Sequence, residues 1–211
     1  MIEKKIIKIL QAGSTSQNEL KFPGANILTK IANTRVHLFH EGALIKSDIS
    51  YFYPKKNFFT AKGKVIFTQG DSLKMTCDYI EYDGEKKIAF ARGNVFLERP
   101  DMTLNTDSLE LDRLKSKAYY QTGGVIRDEN TKLTSKTGVY FIDEKKYRFI
   151  DKVNIYDTEY TMQSKELDYF TELNKAFFKG KTKIIGQDYT VLCEKGNYNT
   201  CLLYTSDAAD E

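Results

Sequence analysis

The stretch GKVIFTQGDSLKMTCDYIEYDG at residues 63–84 decides the fold, because it returns thirty residues later as GNVFLERPDMTLNTDSLELDR at residues 93–113. In both copies apolar and polar residues alternate, and a Gly-Asp or Pro-Asp pair separates two apolar runs. Alternation with a period of two is typical of a strand with one covered face, and such pairs are typical of hairpin turns. Each copy therefore predicts two antiparallel strands joined by a tight turn.

The same repeat runs through most of the chain. Apolar strand starts recur every 28 to 30 residues, at Val36, Val65, Val95, Val125, Val153 and, in the KTKII segment, Lys183. A second anchor keeps this period and is always small: Ser47, Cys77, Thr106, Ser135, Ser164 and Cys193. Two anchors that share one period over six copies predict a one-dimensional stack of hairpins with about twelve strands.

The strands are also expected to bend. Just after the small anchor the alternating apolar residues shift by one position, which in a regular strand would turn them to the other face. A bulge at this point would keep one face turned inward. Gly63, Gly93 and Gly123 recur two residues before the Val anchor, and a recurring strand glycine indicates a bend. We therefore expect an all-β antiparallel repeat meander folded along a crease, with one apolar face along its whole length.

Composition and motifs exclude several classes of protein. The chain has 211 residues and a net charge of +3, and its apolar runs are far shorter than the ~18 residues of a membrane-spanning helix. It contains no Walker, GxGxxG, HExxH or EF-hand spacing, so we expect no cofactor and no metal. Its weak positive charge does not indicate nucleic acid. His37 and His40 lie three residues apart on a strand and would face opposite sides, so they are not expected to share a metal.

Two further features are interpreted as architecture. Cys77 and Cys193 occupy one column four repeats apart, and at ~4.7 Å per repeat they lie about 19 Å apart, beyond disulfide reach. The acidic motifs DYIEYD at residues 78–83 and DSLELD at residues 107–112 resemble carboxylate sites for glycoside hydrolysis or calcium. Because they repeat along the scaffold, and chemistry needs a unique constellation, we do not expect an enzyme.

Five segments resemble the OstA-like proteins: IIKILQAGSTSQNELKFPGANILTK (6–30), HEGALIKSDISYFYP (40–54), GKVIFTQGDSLKMTCDYIEYDG (63–84), ARGNVFLERPDMTLNTDSLELDR (91–113) and TGGVIRDENTKLTSKTGVYF (122–141). This family belongs with the periplasmic bridge component of the lipopolysaccharide transport machine, the LptA/OstA superfamily. The resemblance implies an open, V-shaped β-jelly roll, or β-taco, whose apolar groove shields the lipid A acyl chains of lipopolysaccharide. It also implies a periplasmic protein that joins other lipopolysaccharide-transport proteins, or its own copies, end to end by strand pairing, without cofactor or covalent chemistry.

We expect the groove-facing, lipid-binding positions to be the apolar columns of the repeat. These are Met75, Ile80, Leu104, Leu109, Leu133, Met162 and Leu167, with Val65, Phe67, Val95 and Leu97 on the opposing wall. A groove and an ordinary core share one pattern, so the alternative is a β-repeat surface or adhesin-type interaction module with a dry core. A glycosidase on a β-repeat scaffold would need a unique acidic pair in a cleft.

The two ends of the sequence carry expectations of their own. Residues 201–211, CLLYTSDAADE, resemble the translation of a sequencing-library adaptor, so we expect one OstA-like domain over residues 1–200 that is truncated at its C-terminus. The opening residues 1–10 hold an apolar stretch that is too short for a secretory signal and is interrupted by Lys8. For a periplasmic protein this predicts a clipped N-terminus or a misassigned start.

Overall fold

The computed structural model describes residues 6–170, 172–173 and 175–199, and its regular structure is almost entirely β-strand. One short 3-10 turn lies at Pro54–Lys56. The strands are β1 (Lys8–Gln11), β2 (Ser14–Gln17), β3 (Asn26–Thr29), β4 (Val36–His40), β5 (Ala43–Ser47), β6 (Ile49–Tyr53), β7 (Phe58–Gln69), β8 (Leu73–Asp83), β9 (Ile88–Arg99), β10 (Met102–Asp112), β11 (Lys117–Tyr120), β12 (Gly124–Arg127), β13 (Lys132–Ser135), β14 (Thr137–Phe141), β15 (Lys146–Tyr156), β16 (Tyr160–Phe170), β17 (Lys175–Gly186) and β18 (Thr190–Asn199). Within the described ranges, no helix is long and apolar enough to cross a membrane.

The strands form one antiparallel sheet that is folded into two facing walls. The front wall contains β1, β4, β5, β12 and β13 with residues 65–69, 73–77, 95–99, 102–106, 153–156, 160–164, 182–186 and 190–193. The back wall contains β2, β3, β6, β11 and β14 with residues 58–62, 79–83, 88–92, 108–112, 146–150, 166–170, 175–179 and 195–199. The walls meet at a crease, and their opposite edges, where the turns lie, are the two rims of an open mouth.

The crease is built from left-handed backbone. Gly63 and Gly93 have φ of +82° and +73°, and the residues that follow them, Lys64 and Asn94, have φ of +47° and +48°. Glycine adopts this region without the penalty that a Cβ imposes. The strand register shifts at the same points, between Lys62 and Val65 on β7 for example, so each bend is a bulge that keeps the apolar face inward.

The predicted fold class is confirmed, but the predicted count of about twelve strands is wrong, since eighteen strands are present in the described residues. We call each run of the chain from one rim to the other a pass. The crease divides five of the passes into two short strands each; β5 and β6, for example, are separated only by Asp48. One further pass, formed by β1 and β2, precedes the first repeat. Twelve long passes therefore follow from the repeat, and the extra strands come from the bend and from the N-terminal segment.

Two of the predicted anchors are wrong by one residue. Gly124 rather than Val125 lies opposite Ser135, and Thr182 rather than Lys183 takes the equivalent place in the sixth repeat. The number of residues held in the bulge differs from one pass to the next, so an alignment by apolar runs slips by one. The four other anchor positions keep their predicted column.

The inward faces pack into two hydrophobic clusters, one between Ile7 and Tyr120 and one between Leu133 and Ile184. The eleven predicted groove positions all lie in these clusters and are between 0% and 8% exposed. Their predicted division between walls is wrong, because Phe67 pairs directly with Met75 on the front wall. Each long strand crosses the crease, so a position before the bend and a position after it, such as Met75 and Ile80 on β8, lie on different walls.

Candidate functional site

A cavity of about 620 Å³ lies between the two walls, where the first cluster ends and the second begins. Its lining is mostly apolar and comes from Phe67, Leu73, Met75, Leu97, Met102, Leu104 and Ile126 of the front wall and from Ala89, Leu109, Leu111, Ala118, Tyr120, Tyr140, Tyr147 and Phe149 of the back wall. Sites for small molecules typically measure about 300–1,000 Å³ and are lined mainly by such side chains. The cavity is therefore large enough for an apolar ligand.

The cavity arises from a change of residue size along one inward row of the back wall. On adjacent passes this row carries Phe59 and then Tyr82, which are both buried and fill the space between the walls. The next pass carries Ala89, and two passes further on the row carries Ala118. Tyr140 restores an aromatic ring on the following pass. The space opens where the large rings are missing.

The N-terminal end of the mouth is closed by a set of contacts that we call the rim clasp: His40, Glu41, Tyr82, Lys87 and Arg113. The buried His40 Nδ1 lies 2.8 Å from the Tyr82 hydroxyl oxygen across the mouth. Lys87 Nζ lies 2.9 Å from a carboxylate oxygen of Glu41. Arg113 donates to both the Tyr82 hydroxyl and the Glu41 carbonyl at 3.2 Å. These bonds join the front rim to the back rim.

A second link crosses the mouth directly above the cavity. Arg99 projects from the end of β9 on the front rim, and its guanidinium lies 5.2 Å from the ring centroid of Tyr140 on the back wall. Tyr140 stacks on Tyr147 with their centroids 4.2 Å apart. Burial raises the pKa of Tyr147, so this phenol stays neutral. Arg99 Nε is also 3.1 Å from Asp101 Oδ1, which holds the guanidinium at the rim.

A second cation, Lys145, lines the cavity from the back rim. Its ammonium group pairs with Glu172, on the neighbouring turn of the same rim. The site thus combines an apolar interior with one guanidinium, one ammonium group and the Asp101 carboxylate at its mouth. That arrangement suits an amphiphile with apolar chains and an anionic head.

The eleven predicted groove positions divide into two groups. Those that line the cavity are Phe67, Met75, Leu97, Leu104 and Leu109. Those that pack in the clusters without lining it are Val65, Ile80, Val95, Leu133, Met162 and Leu167. The pattern of buried columns identified both groups equally well, because burial and contact with a cavity have the same signature in sequence.

The acidic motifs take part in local structure. Asp83 and Asp112 each accept two backbone N–H groups of the turn that follows them, at 2.9–3.1 Å. Glu81 pairs with Arg92 at 3.0 Å on the outer face of the back wall. In the part of the chain that the structure describes, no group of three or more His, Cys, Asp or Glu side chains is placed to hold a metal ion.

The two described cysteines are free. Cys77 is buried beside the crease, and burial raises the pKa of its thiol to about 12. Cys193 lies on β18 opposite Thr182 and is half-buried. At neutral pH the Cys77 side chain is thus a neutral, small packing residue, as its shared column with Ser and Thr indicates.

Sequence reasoning missed the residues that bridge the mouth. Arg99 follows Leu97 by two positions and therefore faces inward, so a cation at an inward position was a usable signal. The clasp residues Glu41, Lys87 and Arg113 lie in turns, where charged side chains are common and carry no such signal. Only the folded sheet shows that these turns face each other.

Comparison with known proteins identifies the family of this chain. A model of the OstA-like protein family matches residues 4–165. The chain belongs to the OstA-like family. One solved structure that the OstA-like chain matches is LptH, described as the LptA homologous periplasmic component of the conserved lipopolysaccharide transport device from Pseudomonas aeruginosa. The two chains are 17% identical, the match covers 61% of this chain and 76% of LptH, and the TM-score is 0.28. Comparison with curated proteins gives no match.

Proposed function

We propose that this protein is a periplasmic lipopolysaccharide-binding protein that shields lipid A acyl chains between its two walls and takes part in a bridge from inner to outer membrane. The observation that carries the proposal is the apolar cavity with cations at its mouth, in a chain of the OstA-like family. Burying an acyl chain contributes about 0.8 kcal/mol per CH₂, so the cavity can hold a chain without covalent chemistry or a cofactor.

The acyl chains would contact the cavity-lining positions Phe67, Met75, Leu97, Leu104 and Leu109 first. The six other predicted lipid-binding positions are packed in the two clusters, so they would contact a chain only where the walls separate. A single continuous sheet from β1 to β18 supports treating residues 1–200 as one functional unit. Residues 201–211, the suggested adaptor sequence, lie outside the described residues.

Assembly with a neighbour would use the last strand. Among the described residues, β18 pairs only with β17, and in the proposed assembly a strand of a second protein or a second copy would extend the sheet by the same backbone pairing. The inward residue Val191 is 42% exposed on this strand, whereas its partner Ile184 on β17 is 5% exposed. Sedimentation velocity over a range of concentrations tests this point: we expect larger species at higher concentration, and one unchanged species would contradict it.

Photo-crosslinking in cells tests the binding of lipid. The chain would be exported behind a secretion signal in a host that makes lipopolysaccharide, with a photoreactive residue at Leu109 in the cavity or at Asp107 on the outer face. These positions are two residues apart on β10, so each serves as the control for the other. Lipopolysaccharide adducts at Leu109 but not at Asp107 are expected. A folded protein with adducts at neither position would favour the surface or adhesin-type module with a dry core.

A further inference from the structure

The two cations at the cavity mouth reach it from opposite rims. Arg99 extends inward from the front rim and Lys145 from the back rim, and both line the cavity. Each is paired with a carboxylate of its own rim, Arg99 with Asp101 and Lys145 with Glu172. The carboxylates therefore hold the two positive groups at the entrance.

The pairing leaves Arg99 able to bind a further anion. A guanidinium has five N–H donors in a planar fork, and Asp101 accepts from Nε and Nη2 at 3.1–3.4 Å. The Tyr140 ring supports the guanidinium from the other wall at 5.2 Å. The fork geometry of arginine suits phosphate oxygens, which it can bind in a bidentate manner. The Tyr140 side chain also forms a hydrogen bond with Arg99, and with Asp101 these two partners still leave donors for such a group.

The existing ion pair is also easy to exchange. The Asp101 side chain is 59% exposed, and an exposed pair of this kind contributes only about 0–1 kcal/mol. Lys145 is likewise 55% exposed at its pair with Glu172. A doubly charged phosphate held between both cations, above a low-dielectric cavity, would interact with them more strongly than either carboxylate does in water.

We propose that Arg99 and Lys145 form a phosphate subsite, which binds the phosphate of an amphiphile whose acyl chains occupy the cavity. This inference rests on the proposed function, because the chains fix the phosphate at the mouth. It adds a recognition step to that function: apolar burial supplies affinity for any long chain, whereas the two cations select phosphorylated heads.

Binding of two lipids to the purified full chain tests the subsite. The probes are lipid A with its phosphates and the same lipid after dephosphorylation, each displacing an environment-sensitive apolar dye, and inorganic phosphate is added as a separate competitor. Arg99→Gln and Lys145→Gln should each lower the affinity for phosphorylated lipid A by about tenfold or more and leave the affinity for the dephosphorylated lipid unchanged. Arg127→Gln, which removes an exposed cation of the front wall outside the cavity, should change neither affinity.

The outcomes separate the two proposals. Unchanged affinity for both lipids in Arg99→Gln and Lys145→Gln would overturn the subsite and leave the groove function standing. A wild-type chain that binds neither lipid would overturn both. An equal loss of affinity in Arg127→Gln would show a general effect of charge and overturn the subsite. Binding of inorganic phosphate alone, without displacement of the dye, would show a site for free anions and would also overturn it. Arg99→Lys, which keeps the charge but loses the fork, should retain part of the preference, and thermal unfolding checks that every variant folds.

Discussion

Replacing Gly93 by Ala tests whether the crease depends on glycine. Gly93 has φ of +73°, and a Cβ added there would lie 2.6 Å from Asp78 Oδ2 and 3.0 Å from Asp78 Cβ. The left-handed conformation costs an L-residue about 1–2 kcal/mol. Forcing the strand past the Asp78 Cβ, which cannot rotate away, adds about 1–3 kcal/mol as overpacking does. We therefore expect Gly93→Ala to lower the free energy of unfolding by about 2–5 kcal/mol.

Gly42→Ala is the matched control. Gly42 has a similar φ of +84°, but it lies in a rim turn and an added Cβ would meet nothing within 4 Å. This variant should lose only the conformational part, about 1–2 kcal/mol. Urea unfolding followed by far-ultraviolet circular dichroism gives both values, with the slope against urea expected to stay constant. Equal losses in the two variants, within about 0.5 kcal/mol, would refute the argument that close approach at the crease fixes the bend.

Two further predictions concern titrating groups. Burial raises the pKa of Asp168, but hydrogen bonds at 2.7 Å from Arg148 outweigh it and hold this pKa below its ordinary value of 3.8. The carboxylate thus stabilises the fold above that pH and loses its effect as the pH falls below it, so Asp168→Asn should lower the free energy of unfolding by about 1 kcal/mol at pH 7 and hardly at all in strong acid. Urea titrations at the two pH values measure this, and a pH-independent loss would contradict it. In a Cys201→Ser chain at pH 8, a thiol reagent should modify Cys193 quickly and Cys77 only after unfolding, because burial raises the Cys77 pKa to about 12; equal rates in the native protein would exclude the buried placement.

The repeat made the architecture predictable because both of its signals are local. Alternation of apolar residues reports which face is covered, and the glycine column at Gly63 and Gly93 reports where the backbone turns left-handed. The position of the bulge residues is not local in this sense, since it depends on how many residues each pass holds at the crease. For that reason the predicted anchor at Val125 slipped from its true position at Gly124.

The candidate site was predictable only in part. The apolar columns identified Leu104 and Leu109, but they could not separate cavity-lining positions from packed ones such as Met162. That distinction depends on the size of the side chains that face each position from the other wall. The sequence does not show which residues of the two walls face each other. The rim contacts are harder still, because Arg99 and Tyr140 lie forty-one residues apart and meet only when the sheet folds over.

Every described turn that joins successive passes stays on its own rim, so the chain does not cross over the mouth between passes. The chain passes from one wall to the other at the crease, whereas the contacts across the entrance are made largely by side chains, such as those of the rim clasp and Arg99. Exposed side chains change rotamer within picoseconds to nanoseconds, whereas a backbone ladder must unfold locally to let a ligand pass. The proposed amphiphile would therefore enter the cavity from the side, past these side chains, without threading its head through a closed ring.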